Sequence, residues 1–313
     1  MKTTLVGYTG FVGSNLASAH KFDRVYNSRN IADAFDESHD LVIYAGMRAE
    51  KFLANSDPAA DKRYAEEALN NIRRMSPKKL VLISTVDVYK NPREVDETTP
   101  IDTDGLHPYG YNRYLLEEWV KQEVADCHIL RLPGLFGSGM KKNFIYDMMT
   151  LVPSMLKKEK YEELACKEQL VASCYQLQPN GFFKLCAAED DLANLRSFFE
   201  SNDFNSLSFT DSRAVYQFYD LRNLWADINT ALENDIRLLN ISSEPVSAAE
   251  LFRYVRGGEF VNEISPSPVF YDWRSVHAET FGGSNGYIYK KDEILSAVRE
   301  GVLSRELLKK QGE

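Results

Sequence analysis

The sequence has few cysteines, lacks a long apolar run and carries no excess of positive charge. Only four of its 313 residues are cysteine, and no two are spaced as C-x-x-C, so we expect reduced thiols, no metal and a cytoplasmic location. It contains no run of about 18 or more apolar residues and no signal-peptide layout, so we expect no membrane-spanning segment. A net charge of −9 argues against nucleic acid or an anionic membrane as the main partner.

The apolar pattern predicts an α/β protein. Hydrophobic residues make up 44% of the chain, enough to bury one large domain or two interlocked ones. Up to about residue 135, short β-rich runs alternate with helical stretches, which predicts a doubly wound parallel sheet. The predicted strands are Thr3–Val6, Arg24–Tyr26, Asp40–Tyr44, Lys79–Ser84 and His128–Leu132, and the clearest helices are Asp57–Arg74 and Tyr109–Val124. Two later runs, Val215–Tyr219 and Arg237–Ile241, are predicted to return to the same sheet. Residues 143–205 are predicted to be helical pieces, and short elements follow residue 242.

Three glycines follow the first predicted strand. Gly7 permits a tight turn, Gly10 lets phosphates approach the backbone, and Gly13 lets the next helix pack closely on the strand. Phe11 and Val12 begin that helix, where free N–H groups and a partial positive charge attract anions. The pattern predicts a site for the pyrophosphate of a dinucleotide, with an ordinary strand-to-helix turn as the alternative.

Four further segments carry motifs of a known family. They are Asp40–Gly46, Ile83–Tyr89, Pro108–Arg113 and Arg131–Gly137. Together they resemble the extended short-chain dehydrogenases/reductases, which include NAD(P)-dependent nucleotide-sugar epimerases, dehydratases and reductases. The resemblance covers residues 1–145 well, 210–250 partly and 155–205 not at all. It implies a Rossmann-type fold in which Ala45 and Gly46 lie near the adenine and Pro133 lies beside the nicotinamide.

The resemblance implies a catalytic site at Thr85 and Tyr109. Thr85 would hold the substrate oxygen, and Tyr109 would move its proton. Where the family has lysine, four residues after the tyrosine, this sequence has Arg113. Arginine keeps the charge that lowers a tyrosine pKa and can bond a ribose hydroxyl, but it does not deprotonate to relay a proton. The alternative for Tyr109 and Arg113 is an aromatic helix start followed by a solvated arginine.

The residues after Thr85 disfavour one reaction. Sugar-nucleotide 4,6-dehydratases of the family place Asp and then Glu directly after the threonine, whereas this chain has Val86 and then Asp87. Valine cannot donate a proton, so we expect no dehydration of that kind. Asp87 either faces the substrate as a second acid or base, or is a loop carboxylate.

The end of the second strand favours NADP over NAD. An acidic residue there would bond the adenosine 2′-hydroxyl and repel a 2′-phosphate. The chain instead has Ser28 and Arg29, which suit a phosphate, although Arg29 as a plain surface residue remains an alternative.

Four polar residues are candidates for substrate binding. By the resemblance, Lys142 and Asn143 lie near the sugar and diphosphate, Arg213 contacts the diphosphate, and Arg274 belongs to a region that closes over the nucleotide. Basic groups from distant segments of an acidic protein suit a nucleoside diphosphate. Each of them alone is also compatible with a solvated surface charge.

These observations predict two domains with different roles. Residues 1–135 and 215–241 are predicted to form the dinucleotide-binding Rossmann domain. Residues 136–214 and 242–313 are predicted to form a smaller, discontinuous substrate-binding lobe. The predicted function is a reductase or epimerase of a nucleotide-activated sugar, with homodimerisation possible. The alternatives are a catalytically weakened NAD(P)-binding sensor or scaffold, and an enzyme for a small non-nucleotide carbonyl compound.

Overall fold

The computed structural model describes residues 2–35 and 37–311, which form two compact units. The first unit comprises the described residues up to Gly139, together with Tyr216–Val246 and Phe270–Ala297. The second comprises Met140–Val215, Ser247–Val269 and the described residues from Val298 onward. Residues 1, 36, 312 and 313 of the predicted domain ranges lie outside the described residues. The assignment of a cofactor domain and a substrate lobe stays a prediction.

Strands and α-helices alternate along much of the chain. The strands are β1 (Thr3–Val6), β2 (Arg24–Tyr26), β3 (Leu41–Tyr44), β4 (Lys79–Thr85), β5 (Arg93–Val95), β6 (Cys127–Leu132), β7 (Gly134–Phe136), β8 (Met155–Leu156), β9 (Tyr175–Leu177), β10 (Phe183–Leu185), β11 (Val215–Tyr216), β12 (Phe218–Asp220), β13 (Leu238–Asn240), β14 (Val246–Ser247) and β15 (Asp272–Trp273). The α-helices are α1 (Phe11–Ala19), α2 (Lys51–Ser56), α3 (Pro58–Met75), α4 (Pro108–Glu123), α5 (Phe144–Thr150), α6 (Lys158–Ala165), α7 (Gln169–Cys174), α8 (Glu189–Glu200), α9 (Leu224–Glu233), α10 (Ala248–Arg256) and α11 (Lys291–Gln311). Short 3₁₀ helices cover Ile31–Ala34, Val86–Val88, Ser206–Phe209, Leu221–Asn223 and Ala278–Phe281.

A six-stranded parallel sheet forms the centre of the first unit, with the order β13-β6-β4-β3-β1-β2. Successive strand residues point to opposite faces, and both faces are apolar. Leu5, Ile43 and Val81 pack with residues of α1 and α9 on one face. Val6 and Leu82 pack with residues of α3 and α4 on the other. Helices therefore cover both faces, and the predicted doubly wound α/β fold is confirmed.

Of the two late runs, only the second joins this sheet. Arg237–Ile241 contains β13, which pairs with β6 as predicted. The prediction for Val215–Tyr219 is wrong, because β12 pairs with β7 in a separate two-stranded sheet. Pro133 stands between β6 and β7 and has no N–H to donate to a ladder, which explains why the sheet divides there.

The second unit contains a small sheet that the sequence pattern did not indicate. β8, β10 and β9 form an antiparallel sheet, where helical pieces alone were predicted. Strands of two or three residues are too short to show an alternating pattern. Leu156, Val171 and Phe199 belong to a buried cluster of this unit. In the part of the chain that the structure describes, no helix has both the length and the apolar character needed to span a bilayer.

Candidate functional site

The glycine turn after β1 requires glycine at two of its three positions. Gly7 has φ +90°, and a Cβ built on it would lie 2.5 Å from the carbonyl oxygen of Ala45. A Cβ on Gly13 would lie 2.1 Å from the oxygen of Gly7. Gly10 is the N-cap of α1 and has no side chain to cap it, so the first N–H groups of the helix stay available to an anion. The turn thus has the backbone shape that a pyrophosphate site needs.

The predicted nucleotide-side residues lie along the carboxyl edge of the same sheet. Ala45 and Gly46 follow β3 directly, Thr85 is the last residue of β4, and Pro133 follows β6. Since Thr85 is in register with Leu132 in neighbouring parallel strands, these segments end side by side. Carboxyl edges of open α/β sheets are where ligands of such folds bind.

Ser28 and Arg29 follow β2 in a tight polar loop and are both exposed. The Asn27 side chain accepts the Arg29 N–H at 2.9 Å, and the Asn30 side chain accepts the Asn27 N–H at 2.8 Å. Among the described residues, no side-chain hydrogen bond or ion pair engages the Arg29 guanidinium. It is therefore open to an anionic ligand.

Helix α4 starts against the 3₁₀ turn that follows Thr85. Pro108 occupies the first turn of the helix, and the N-cap His107 accepts the Gly110 N–H through Nδ1 at 3.0 Å. A Cβ on Gly110 would lie 2.1 Å from the carbonyl oxygen of Asp87, so only glycine permits this approach. The Tyr109 side chain lies near the Thr85 side chain, which acts to lower the pKa of Tyr109.

A buried polar network anchors the middle of α4 to the sheet. Glu117 accepts hydrogen bonds from the Arg131 guanidinium, the shortest at 2.6 Å, and from the Ser84 hydroxyl at 2.5 Å. Glu117 and Arg131 are at most 2% exposed. Because all three side chains belong to α4 or its neighbours β4 and β6, the network holds Tyr109 and Thr85 on one rigid frame.

The pKa of Tyr109 differs from the value that the sequence predicted, because the side chain is buried. We expected Arg113 to lower the pKa of Tyr109, and Arg113 does act in that direction. Burial is the larger cause, however, and it raises the pKa of Tyr109 to about 12, with Asp87 and Asp61 contributing in the same sense. The expected net lowering is therefore wrong, and Tyr109 is protonated at neutral pH.

Arg113 is buried and fully engaged by the protein. Its guanidinium donates to the carboxylate of Asp61 on α3 and to the carbonyl oxygen of Arg48. Its Cζ lies 4.0 Å from the centre of the Tyr109 ring. The alternative of a solvated arginine is excluded, since Arg113 is 4% exposed. The predicted bond from Arg113 to a ribose hydroxyl stays a prediction.

Two residues beside the site were not chosen from the sequence. Lys51 on α2 forms an ion pair with Asp87, with 2.7 Å between Nζ and Oδ1. Burial lowers the pKa of His107, and the Lys51 cation lowers it further. Burial also raises the pKa of Tyr271 to about 12, with a smaller contribution from Asp87. Lys51 and Tyr271 belong to no local sequence motif. They lie beside Asp87 only in the folded chain, so the sequence pattern could not reveal them.

Besides Asp87, the four other predicted substrate residues have defined surroundings in their own units. In the second unit, Arg213 pairs with Asp211 at 2.8 Å and Glu263 at 3.0 Å. There Asn143 has φ 101° and caps α5 by accepting the Tyr146 N–H, and Lys142 is exposed. In the first unit, Arg274 lies 3.5 Å from Asp272, and its buried Nε has no hydrogen-bond partner among the described residues. Their predicted roles stay predictions.

One cluster away from this edge has ligand atoms close enough for a metal ion. Asp126, His128 and Asp235 bring such atoms within 4.8 Å of one another. Arg237 pairs with both carboxylates, and Lys79 pairs with Asp126 at 3.3 Å. Cations of the protein already balance these acids, which identifies the cluster as an ion-pair network. The expected absence of a metal stays a prediction.

The sequence matches one protein family, and the fold matches solved structures. Residues 1–160 match the family described as RmlD substrate binding domain. No curated protein matches the sequence. Similar solved structures include dTDP-4-dehydrorhamnose reductase from Bacillus anthracis str. Ames in complex with NADP, at 15% identity and TM-score 0.57, covering 92% of this chain and 94% of that one.

Two further structures cover the full length of both chains. UDP-glucose 4-epimerase from Thermotoga maritima with UDP-glucose has 13% identity and TM-score 0.61, with 100% of each chain covered. A short-chain dehydrogenase/reductase superfamily protein from Agrobacterium tumefaciens with bound NAD has 15% identity and TM-score 0.60, also with 100% of each chain covered. At these identities the likeness concerns the fold.

Proposed function

The chain belongs to the RmlD substrate-binding domain family, and from this we propose that it is an NADP(H)-dependent reductase or epimerase of a nucleotide-activated sugar. The observation that carries the proposal is the proximity of Thr85 and Tyr109 at the carboxyl edge of the sheet that also holds the glycine turn. Such a pair can hold and protonate one oxygen of a substrate. The family resemblance to extended short-chain dehydrogenases/reductases is confirmed by the same matches.

The chemistry proposed for this pair favours reduction. NADPH, when bound, supplies a hydride. Thr85 orients the carbonyl oxygen, and Tyr109 donates its proton to that oxygen. With its pKa raised by burial to about 12, Tyr109 is protonated at neutral pH, the state from which it can donate to a carbonyl oxygen, and little tyrosinate is present for the reverse proton abstraction. We therefore place carbonyl reduction ahead of epimerisation.

The proposed cofactor is NADP(H), with NAD(H) as the weaker ligand. The exposed guanidinium of Arg29 supports this preference, and the Bacillus anthracis relative binds NADP. A charge-assisted bond to the 2′-phosphate contributes about 1.5–3 kcal/mol, so NADPH should bind tenfold or more tightly than NADH. Calorimetric titration with each cofactor measures this ratio. Equal affinity, or tighter binding of NADH, would contradict the preference.

The proposed substrate class is a nucleotide-activated sugar with a carbonyl group. The Thermotoga maritima relative carries UDP-glucose, which supports this class. Asp87, Lys142, Asn143, Arg213 and Arg274 are the residues we propose for substrate contacts. A panel of UDP-, dTDP-, GDP- and CDP-linked sugars and keto-sugars is tested for NADPH oxidation, measured by absorbance at about 340 nm. The compound that is turned over identifies the base and the sugar.

The catalytic assignment is tested by substitution on α4. Tyr109→Phe removes the proton donor and keeps the ring, so turnover should fall by about 10²- to 10⁴-fold with cofactor affinity little changed. Tyr111→Phe, at an exposed position two residues on, is the matched control and should behave like wild type. Arg113→Lys restores the family's residue and should retain or raise turnover.

The outcomes separate the enzyme from its alternative. If Tyr109→Phe turns over substrate as fast as wild type, the catalytic assignment is wrong. If neither wild type nor Arg113→Lys turns over any nucleotide sugar while both bind NADPH, the sensor or scaffold function is favoured over a nucleotide-sugar enzyme. The sensor or scaffold alternative rests on one observation: Arg113 is already held by the protein in an ion pair with Asp61.

A further inference from the structure

The cation beside Tyr109, Arg113, belongs to a buried pair of opposite charges. The side chains of Arg113 and Asp61 are 4% and 6% exposed, and they form an ion pair between α4 and α3. Asp61 also accepts a hydrogen bond from the Asn112 amide at 2.9 Å. A charge pair buried this deeply persists only when each member has its partner and its hydrogen bonds.

The pair is fixed in position relative to Tyr109. Besides Asp61, the Arg113 guanidinium donates to the carbonyl oxygen of Arg48, so it is held on two sides. It lies 4.0 Å from the centre of the Tyr109 ring, against the face of the ring. The planar, always charged guanidinium cannot leave this place or lose its proton as an ammonium group does.

Other charged and polar groups face Tyr109 from every neighbouring element. They are Thr85 at the end of β4, Asp87 in the 3₁₀ turn with its partner Lys51 from α2, the N-cap His107, and Asn55 of α2, which accepts the Tyr109 N–H. Lys51 and Asp87 form a second pair of opposite charges. The charges of Arg113 and Asp61 therefore decide whether a net positive charge lies beside the ring.

We propose that Asp61 is a positioning residue of the Tyr109 site: its carboxylate fixes the Arg113 guanidinium against the tyrosine ring and cancels the positive charge that the phenol would otherwise meet. Asp61 thus limits how far the guanidinium stabilises the tyrosinate, the form that cannot donate a proton to a carbonyl oxygen. This role rests on the proposed function for its catalytic meaning. The charge cancellation itself concerns the chain alone and can be measured without substrate.

The test measures the titration of Tyr109 in variants of the pair. All 17 tyrosines are replaced by 3-fluorotyrosine, whose lower phenol pKa brings the titration into an accessible range, and followed by ¹⁹F NMR against pH. The Tyr109 signal is identified by its loss in Tyr109→Phe. Asp61→Asn leaves an uncancelled cation beside the ring, so Tyr109 should titrate about 1–3 pH units lower than in wild type. Glu66→Gln removes one exposed carboxylate from the same helix and should leave the titration unchanged.

A double variant covers the case in which Asp61→Asn fails to fold. Asp61→Asn with Arg113→Met removes both charges, and Tyr109 should then titrate as in wild type. Two results would overturn the proposal, because both would show that Asp61 does not cancel the charge of Arg113. In the first, Asp61→Asn leaves the titration of Tyr109 unchanged. In the second, Tyr109 of the double variant titrates about 1–3 pH units higher than in wild type. Circular dichroism confirms folding of each variant. If the protein turns over no nucleotide sugar, the proposed function is wrong, but the titration of Tyr109 still tests the role of Asp61.

Discussion

Helix α4 comes close to the loop after β4 because Gly110 has no side chain. The substitution Gly110→Ala adds a Cβ at this point. The new Cβ would lie 2.1 Å from the carbonyl oxygen of Asp87 and 3.0 Å from the carbon of the same group. Backbone atoms cannot turn aside as a flexible side chain does, so the helix start has to move away from the loop. Tyr109 precedes Gly110 and moves with it, away from Thr85.

The size of the effect follows from two opposing terms. Overpacking of this kind costs about 1–3 kcal/mol, while replacing glycine by alanine in a helix gains up to about 1 kcal/mol. Gly110→Ala should therefore lower the free energy of unfolding by up to about 2 kcal/mol. Gly301→Ala is the matched control: Gly301 is exposed on α11 with nothing within 4 Å of its Cβ position, so the same change should stabilise by up to about 1 kcal/mol.

Thermal unfolding followed by circular dichroism measures both variants. The Tm should fall for Gly110→Ala and rise or stay level for Gly301→Ala, because about 1 kcal/mol shifts Tm by a few degrees in chains of this size. Turnover of Gly110→Ala should fall about 10²-fold through misplacement of Tyr109, while NADPH affinity should hold because the glycine turn follows another strand. A Gly110→Ala variant with wild-type Tm and turnover would refute the close approach.

Three further substitutions test single features of the molecule. Arg29→Met should weaken NADPH binding tenfold or more and leave NADH binding unchanged, as measured by calorimetry. Lys51→Met should raise the pKa of His107, because the Lys51 cation now lowers it, and NMR titration of the histidine ring checks this. Burial raises the pKa of Asp147 from 3.8 to about 7, so its stabilising contribution is complete below about pH 4 and is lost as the pH rises through about 7. Asp147→Asn should therefore unfold at the same urea concentration as wild type at pH 4 and be more stable at pH 8, by about 4 kcal/mol at most.

Local patterns were sufficient for the central sheet and the glycine turn. The first three strands have apolar runs bounded by turn residues, and the structure places them within one residue of the predicted limits. The conformation of Gly7 and the tight packing at Gly13 follow from steric rules that act within one strand–turn–helix unit. The strands of two or three residues in the second unit carried no such signal, because alternation needs more residues to be visible.

The sequence by itself determined the doubly wound fold and the glycine turn, and its family motifs led to the proposed assignment of Thr85 and Tyr109. Only the tertiary structure decided the charge beside Tyr109, since the partner of Arg113 lies 52 residues away on another helix. The same holds for the ion pair of Lys51 with Asp87 across 36 residues and for the approach of Gly110 to the loop after Thr85. Periodicity and spacing describe what a residue meets within its own helix or strand. Burial and ion pairing depend on which elements the fold brings together, and these set the protonation of the proposed catalytic tyrosine.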